Sequence, residues 1–321
     1  MEMRFLVHGR GEASPSPLFE MRMLRMNFRH LHYICTVANH RNISKAAKEL
    51  MISQPSLSNF IAKIEEELGI RLFERSTASP LEPTYAGERF LEHARSMLMQ
   101  YDSMMREMSD ISGNIAGRIR LGFPHERLSY MVPIIFPKYK ERYPNIELKF
   151  VTADGRTLMN YLREGRIDMA VLPYQSPDET VDAVDLFEEP IFLVAHKDYL
   201  KDVHFKDSGG KQLCLPALGD LDFIFLREGH IMRYFVDAFF ASMNIVPNVV
   251  LETSSNLASY KLAASGLGAT IVPRTTLILT REEHGAKKYR ITQWTVRAFY
   301  RKGAYIGPPE NNLISLIKEA F

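Results

Sequence analysis

From Phe28 the chain sets apolar residues three and four apart. Phe28, Leu31, Ile34, Cys35 and Ala38 fall on one face of a helix that stops near Asn39–Asn42. Ala46, Ala47 and Leu50 line a second, short helix for which Ser44 is the expected cap, and the small Ala47 lets another helix cross closely. A turn at Met51–Ser53 leads into a third helix. Ser53 caps it, Pro55 sits in its first turn, Leu57, Ile61, Ile64 and Leu68 point inward, and Gly69 closes it in the left-handed conformation. The first turn of this helix carries Ser53, Gln54, Pro55, Ser56, Ser58 and Asn59, residues with little to bury. Beyond it, the apolar Ile70, Leu72 and Phe73 precede Glu74, Arg75, Ser76 and Thr77, and then Pro80 and Pro83, which spells a short extended hairpin.

A long helix is expected from Thr84. Phe90, Met97, Met104 and Ile111 recur every seven residues, as do Ala94, Tyr101 and Met108, with Leu91, Leu98 and Met105 as a third column. So broad a seam buries against another helix, most simply its own copy, with Phe90, Leu91, Ala94, Met97, Leu98, Tyr101, Met104 and Met105 as the dimerisation residues. Packing within one domain is the competing reading. After Ser112-Gly113-Asn114 the pattern changes. Strands are expected at Arg118–Phe123, Ile146–Thr152, Ile167–Leu172, Ile191–Ala195, Val249–Glu252, Ala269–Val272 and Trp294–Tyr300. Helices alternate with them at Val132–Tyr143, around Leu158–Leu162, at Arg233–Met243, at Ser255–Ala264 and near Leu313–Ala320. That alternation implies largely parallel βαβ units.

Two helices joined by a short turn form a helix-turn-helix, whose second helix presents its N-terminal residues to base edges in a DNA major groove. Gln54 and Asn59 have the donors and acceptors for adenine, and Ser56 and Ser58 suit bases or phosphates. Ser44, Ser53, Pro55, Lys63 and the hairpin's Arg75 complete the candidate DNA-binding set. A well-capped, solvated helix start is the bland alternative. Net charge adds little, at +2 over 321 residues, and the basic and acidic residues of 29–82 nearly balance. Affinity should therefore lean on paired docking rather than bulk charge. The two cysteines, Cys35 and Cys214, form no metal or redox spacing. No catalytic or metal set and no cofactor are expected, nor a membrane span, since no apolar run reaches about 18 residues. Residues 1–25, with Gly9, Gly11, Pro15 and Pro17 and no periodicity, read as a flexible tail or as an over-long start ahead of Met26.

Residues 27–76 resemble the DNA-binding domain of LysR-type transcriptional regulators. The marks are Ala46-Ala47, Leu50, Ser53-Gln54-Pro55-Ser56-Leu57-Ser58, Ile64-Glu65, Leu68-Gly69 and Leu72-Phe73-Glu74-Arg75, with Thr84 and Ala86-Gly87 resembling the entry to the family's linker helix. Tyr143-Pro144-Asn145 and Glu164-Gly165-Arg166-Ile167-Asp168 extend the likeness through 118–321. Asn59-Phe60 departs from a pair that is usually basic or amide-rich.

The resemblance implies an N-terminal all-α winged helix-turn-helix over 26–83 (helix-turn-helix 43–62) and a linker helix over 84–112. It also implies a C-terminal α/β effector-binding domain of two subdomains resembling periplasmic binding proteins, one of 118–190 with 293–321 and one of 191–292. The implied partners are double-stranded promoter DNA, a small-molecule effector, the protein's own copies as dimer and tetramer, and RNA polymerase, in the cytoplasm. Loops after strands then line the effector cleft: His125, Glu126 and Arg127 in Pro124–Leu128, Gly155 and Arg156 after Asp154, and Arg227 and Glu228 before His230. Arg156 and Arg227 suit an anion, whereas Glu126 stands where the family usually has a small hydroxyl residue and points to a cationic or zwitterionic ligand. A regulator without an effector and an exported solute-binding protein are the alternatives. An enzyme would need a clustered nucleophile, base or metal set that the chain lacks.

Overall fold

The computed structural model describes residues 26–74, 80–113, 115–174, 178–200, 205–207, 211–213, 215–280 and 285–321. The expected tail at 1–25, Arg75 and Cys214 lie outside the described residues. The chain divides into two compact units, Met1–Leu98 and Met99–Phe321.

The first unit holds α1 (Phe28–His40), α2 (Ile43–Glu49), α3 (Gln54–Leu68) and the start of α4 (Tyr85–Ile111). Leu31, Ile34, Val37, Ala46, Ala47, Leu57, Ile61 and Ile64 form its core, joined by Leu72, Phe73, Leu91 and Ala94. Asn42, not Ser44, caps α2: its Oδ1 accepts the Lys45 N–H at 2.9 Å, and Ser44 lies exposed inside the first turn. The tighter β-region residue won because its side chain reaches the third helical N–H. Ser53 caps α3 by accepting the Ser56 N–H at 3.3 Å, and Gly69 (φ +69°) ends it. The hairpin then forms, with a Phe73–Pro83 bridge and a Glu74 N–H to Glu82 O bond of 2.8 Å. Glu65 pins it to α3 by accepting the Leu72 and Phe73 N–H groups at 2.7 and 3.1 Å.

The expected dimer seam divides. Leu91 and Ala94 are buried in this unit's own core, and Phe90 and Leu98 pack against it, so Leu91 and Ala94 are not available to a partner helix. Met97, Tyr101, Met104 and Met105 are exposed.

The second unit is built on an eight-stranded sheet of order β2-β1-β3-β10-β4-β9-β7-β8. The short strands are β1 (Gly117–Phe123), β2 (Ile146–Thr152), β3 (Met169–Leu172), β7 (Asp222–Leu226), β8 (Asn248–Thr253) and β9 (Ala269–Pro273). A separate pair, β5 (Phe205–Asp207) and β6 (Lys211–Leu213), forms its own ribbon. Two long strands, β4 (Val181–His196) and β10 (Ala286–Arg301), run antiparallel through the middle. At one end β10 pairs with β3, and at the other β4 pairs with β9, so two parallel α/β halves share one sheet. Helices α5 (His125–Arg142), α6 (Gly155–Arg163), α7 (Ile231–Ser242), α8 (Asn256–Ala264), α9 (Arg274–Leu279) and α10 (Pro308–Ala320) cover it.

Asp168, 7% exposed, collects three arginines in this unit. Arg120 donates from Nε at 3.0 Å and Nη2 at 2.8 Å, and Arg106, on the C-terminal part of α4, donates at 3.3 Å. Arg301 lies at 3.7 Å and spends its Nη1 on the Leu162 and Ile167 carbonyls.

Candidate DNA-reading and ligand-binding sites

At the start of α3, Ser53, Gln54, Pro55, Ser56, Asn59 and Lys63 are all exposed, and Ser58 is half-buried. The residues are also pre-set. Ser53 and Ser56 share a hydroxyl hydrogen bond of 2.7 Å, and Gln54 Nε2 donates to Ser58 Oγ at 3.0 Å, which holds the Gln54 amide along the helix face. Leu57, fully buried between them, anchors the turn. Phe60 explains the departure at Asn59-Phe60. Its ring lies 5.0 Å from that of His30 and 5.4 Å from that of Tyr33, so it packs back on α1. The turn before α3 places Met51 in a left-handed conformation (φ +56°), 92% exposed.

In the second unit two of the three segments read as loops are helix starts, while Arg227 and Glu228 stay in a turn before α7. Pro124 precedes α5, so His125, Glu126 and Arg127 form its first turn. Asp154 caps α6 by accepting the Thr157 N–H at 3.0 Å, so Gly155 and Arg156 form its first turn. Burial raises the Asp154 pKa, but the Thr157 hydroxyl and N–H outweigh that and leave it below the ordinary range.

These starts meet α7, α8 and α9 around a cavity of about 90 Å³. Gly155 permits the approach, because a Cβ there would stand 1.8 Å from Ile231 Cδ1. The Glu126 carboxylate crosses to the other half of the sheet. It accepts from Ser255 Oγ (3.3 Å), Asn256 Nδ2 (3.2 Å), the Leu257 N–H (3.2 Å) and Thr276 Oγ1 (3.0 Å), and so sits on the N-terminus of α8. Arg127 is 4% exposed and its Nη2 donates to Glu189 at 2.6 Å. Glu189 also accepts from the Thr275 N–H at 2.9 Å, from the Thr275 hydroxyl and from Trp294 Nε1 at 2.7 Å. Burial pushes the Glu189 pKa up, and the charge and hydrogen bonds of Arg127, with those of Thr275 and Trp294, bring it below the ordinary range.

A larger pocket of about 580 Å³ adjoins, sharing Pro173 and Ile231 with the first and walled by Tyr174, Tyr234, Phe235 and Phe239. Arg156 stands at its edge, its Nη2 on the Tyr234 hydroxyl and its guanidinium 5.6 Å from that ring.

The expected ligand residues thus separate. Glu126, Arg127 and Gly155 line the small cavity and Arg156 the large one. Arg127 is a buried ion-pair partner rather than a loop cation. His125, Arg227 and Glu228 are exposed and line neither cavity; His230 does so instead of Arg227 and Glu228. Sequence reasoning missed Glu189, Thr275, Thr276, Tyr234, Trp294 and Asn256. Only Asn256 had a signal, as the first residue after a Ser cap at a strand-to-helix junction.

The LysR substrate binding domain model matches residues 112–321, and that for the bacterial regulatory helix-turn-helix protein, lysR family, matches 28–88. An uncharacterized HTH-type transcriptional regulator, YcgK of Bacillus subtilis (strain 168), is 32% identical over 260 residues, which cover 77% of this chain and 80% of that one. The hydrogen peroxide-inducible genes activator of Pectobacterium carotovorum subsp. carotovorum is 29% identical over 265 residues, 81% of this chain and 84% of the relative. In fold, a full-length OxyR variant from Pseudomonas aeruginosa superposes with a TM-score of 0.72, covering 92% of this chain and 94% of that one at 23% identity. With a helix-turn-helix that presents polar side chains outward and a two-lobed α/β domain closed around a cavity, the chain belongs to the lysR family of bacterial DNA-binding transcriptional regulators.

Proposed function

We propose that this regulator reads its operator with the first turn of α3 and answers to a small molecule held between the two halves of its second unit. The observation that carries the reading is the exposure of Gln54, Ser56 and Asn59 on a helix start locked by Ser53 and Leu57. Gln54 takes the adenine-reading position, and Ser56, Asn59 and Lys63 take bases or phosphates. Ser44, exposed in the first turn of α2, is a phosphate contact. The exposed Met97, Tyr101, Met104 and Met105 of α4 form the surface on which a second copy docks. Paired heads then read half-sites about one helical turn apart or a multiple of it. Ligand closure of the two halves changes the spacing of those heads, by population shift. Among the described residues no helix is long and apolar enough to cross a membrane, which fits a cytoplasmic regulator working beside RNA polymerase.

The relative's name joins it to hydrogen peroxide. This chain's ligand reading does not rest on thiol chemistry, because its described cysteine, Cys35, is buried in the first unit. Burial pushes that thiol up to about 11, against a smaller opposing pull from Arg95, which keeps it protonated at neutral pH.

Gln54→Ala is expected to weaken specific DNA binding by about 1–3 kcal/mol while leaving binding to unrelated DNA unchanged. Footprinting on the DNA upstream of its own gene, wild type against variant, reads this directly. Equal protection by both proteins would remove Gln54 from the reading surface.

A further inference from the structure

We propose that the ligand is an uncharged amphipathic molecule, with a small head that both accepts and donates hydrogen bonds and an aromatic or alkyl tail. This rests on the reading of the second unit as a ligand-binding domain. Size sets the division of the molecule. The inner cavity of about 90 Å³ has room for roughly three water volumes, enough for a head group of a few heavy atoms. The adjoining pocket of about 580 Å³ falls within the usual range for a small organic ligand and presents the rings of Tyr174, Tyr234, Phe235 and Phe239.

Polarity sets the head. Arg127 lines the inner cavity, and its Nε and Nη1 are buried without a hydrogen-bond partner. Asn256 lines the same cavity, and its Oδ1 is likewise buried and unpartnered while its Nδ2 serves Glu126. Buried donors and acceptors left unmatched cost free energy, so the occupant that fits best brings an acceptor for Arg127 and a donor for Asn256. A primary amide does both.

The other heads match these groups less well. Two features able to hold a free carboxylate are already filled by the chain's own: the α8 N-terminus by Glu126 and the Arg127 charge by Glu189. A carboxylate head brings acceptors for Arg127 but no donor for Asn256, and it would meet Glu126 and Asp154 in the wall of the inner cavity. An ammonium group is a donor only and leaves Arg127 Nε and Nη1 without an acceptor.

The test uses three probes with one tail, 3-phenylpropanamide, 3-phenylpropanoate and 3-phenylpropylamine, titrated calorimetrically into the full-length protein. The amide should bind at least about tenfold more tightly than either charged probe, since a site with unpaired polar groups discriminates strongly between heads. Glu126→Gln should narrow the gap between amide and carboxylate, and Asn256→Ala should weaken the amide alone. The proposal is overturned if a charged probe matches the amide, if none of the three binds, or if Glu126→Gln leaves the preference unchanged. Footprinting the same preparations separates the two claims. A Gln54-dependent footprint with no probe bound sinks the ligand class and leaves the regulator standing. Amide binding without a footprint supports the ligand class and removes the DNA reading.

Discussion

Glu189→Ala should destabilise the second unit by about 3–5 kcal/mol, the usual consequence of removing one partner from a buried ion pair. Glu189 is 3% exposed, and its loss leaves the Arg127 guanidinium buried with no counter-charge. It also strips the acceptor from the Thr275 N–H and the Trp294 indole. Denaturant unfolding followed by tryptophan fluorescence is the natural measurement, because Trp294 is the chain's one tryptophan and touches the substituted group. Replacing both partners, Arg127→Met with Glu189→Leu, should recover most of the loss, since an apolar pair of similar volume leaves no charge unpaired. A loss below about 1 kcal/mol for the single variant, the range of an exposed pair, would show that the pair is solvated in solution.

Asp168→Asn should cost a comparable amount, about 3–5 kcal/mol, and its cost should depend on pH. Burial tends to raise the Asp168 pKa, and the hydrogen bonds and charge of Arg120, aided by Arg106, reverse this and hold it below the ordinary carboxylate value. A carboxylate whose folded pKa is depressed stabilises fully above its unfolded pKa, near 3.9, and that contribution fades as pH falls through the folded value. The gap between wild type and variant should therefore be widest at neutral pH and shrink below about pH 4. Guanidinium melts at both pH values read it. A gap independent of pH would mean that the substitution acts through packing rather than through lost charge.

How far the sequence carried these conclusions depends on what a pattern can encode. The helix-turn-helix was legible because its inward stripe (Leu57, Ile61, Ile64), its cap at Ser53 and its stop at Gly69 are all local signals. The heptad columns of α4 announced a buried face but not what covers it, so Leu91 and Ala94 were given to a partner although their own unit takes them. Helix α5 was expected seven residues late because Pro133 and Pro137 lie inside it and its polar start resembles a loop. Helix α9 was missed, since Arg274-Thr275-Thr276 is a poor helix former that follows a strand directly. The cavity floor was not legible at all. Nothing local marks Glu189 for burial, and only the pairing of distant β4, β10 and α9 sets it beside Trp294 and Thr275.

The shared sheet has a further consequence for how the second unit comes apart. Because β4 and β10 belong to both halves, neither half can shed its central strands without dissolving the other's. The halves should therefore melt as one cooperative body, with no species folded on one side only. Amides of β3 and β9, in opposite halves, should exchange with deuterium at one common rate limit. Any swing of the halves must then be taken up as twist in the two long strands, and the two register shifts, which leave Ile291 extra on β10 and Leu186 extra on β4, are the positions where that twist has slack.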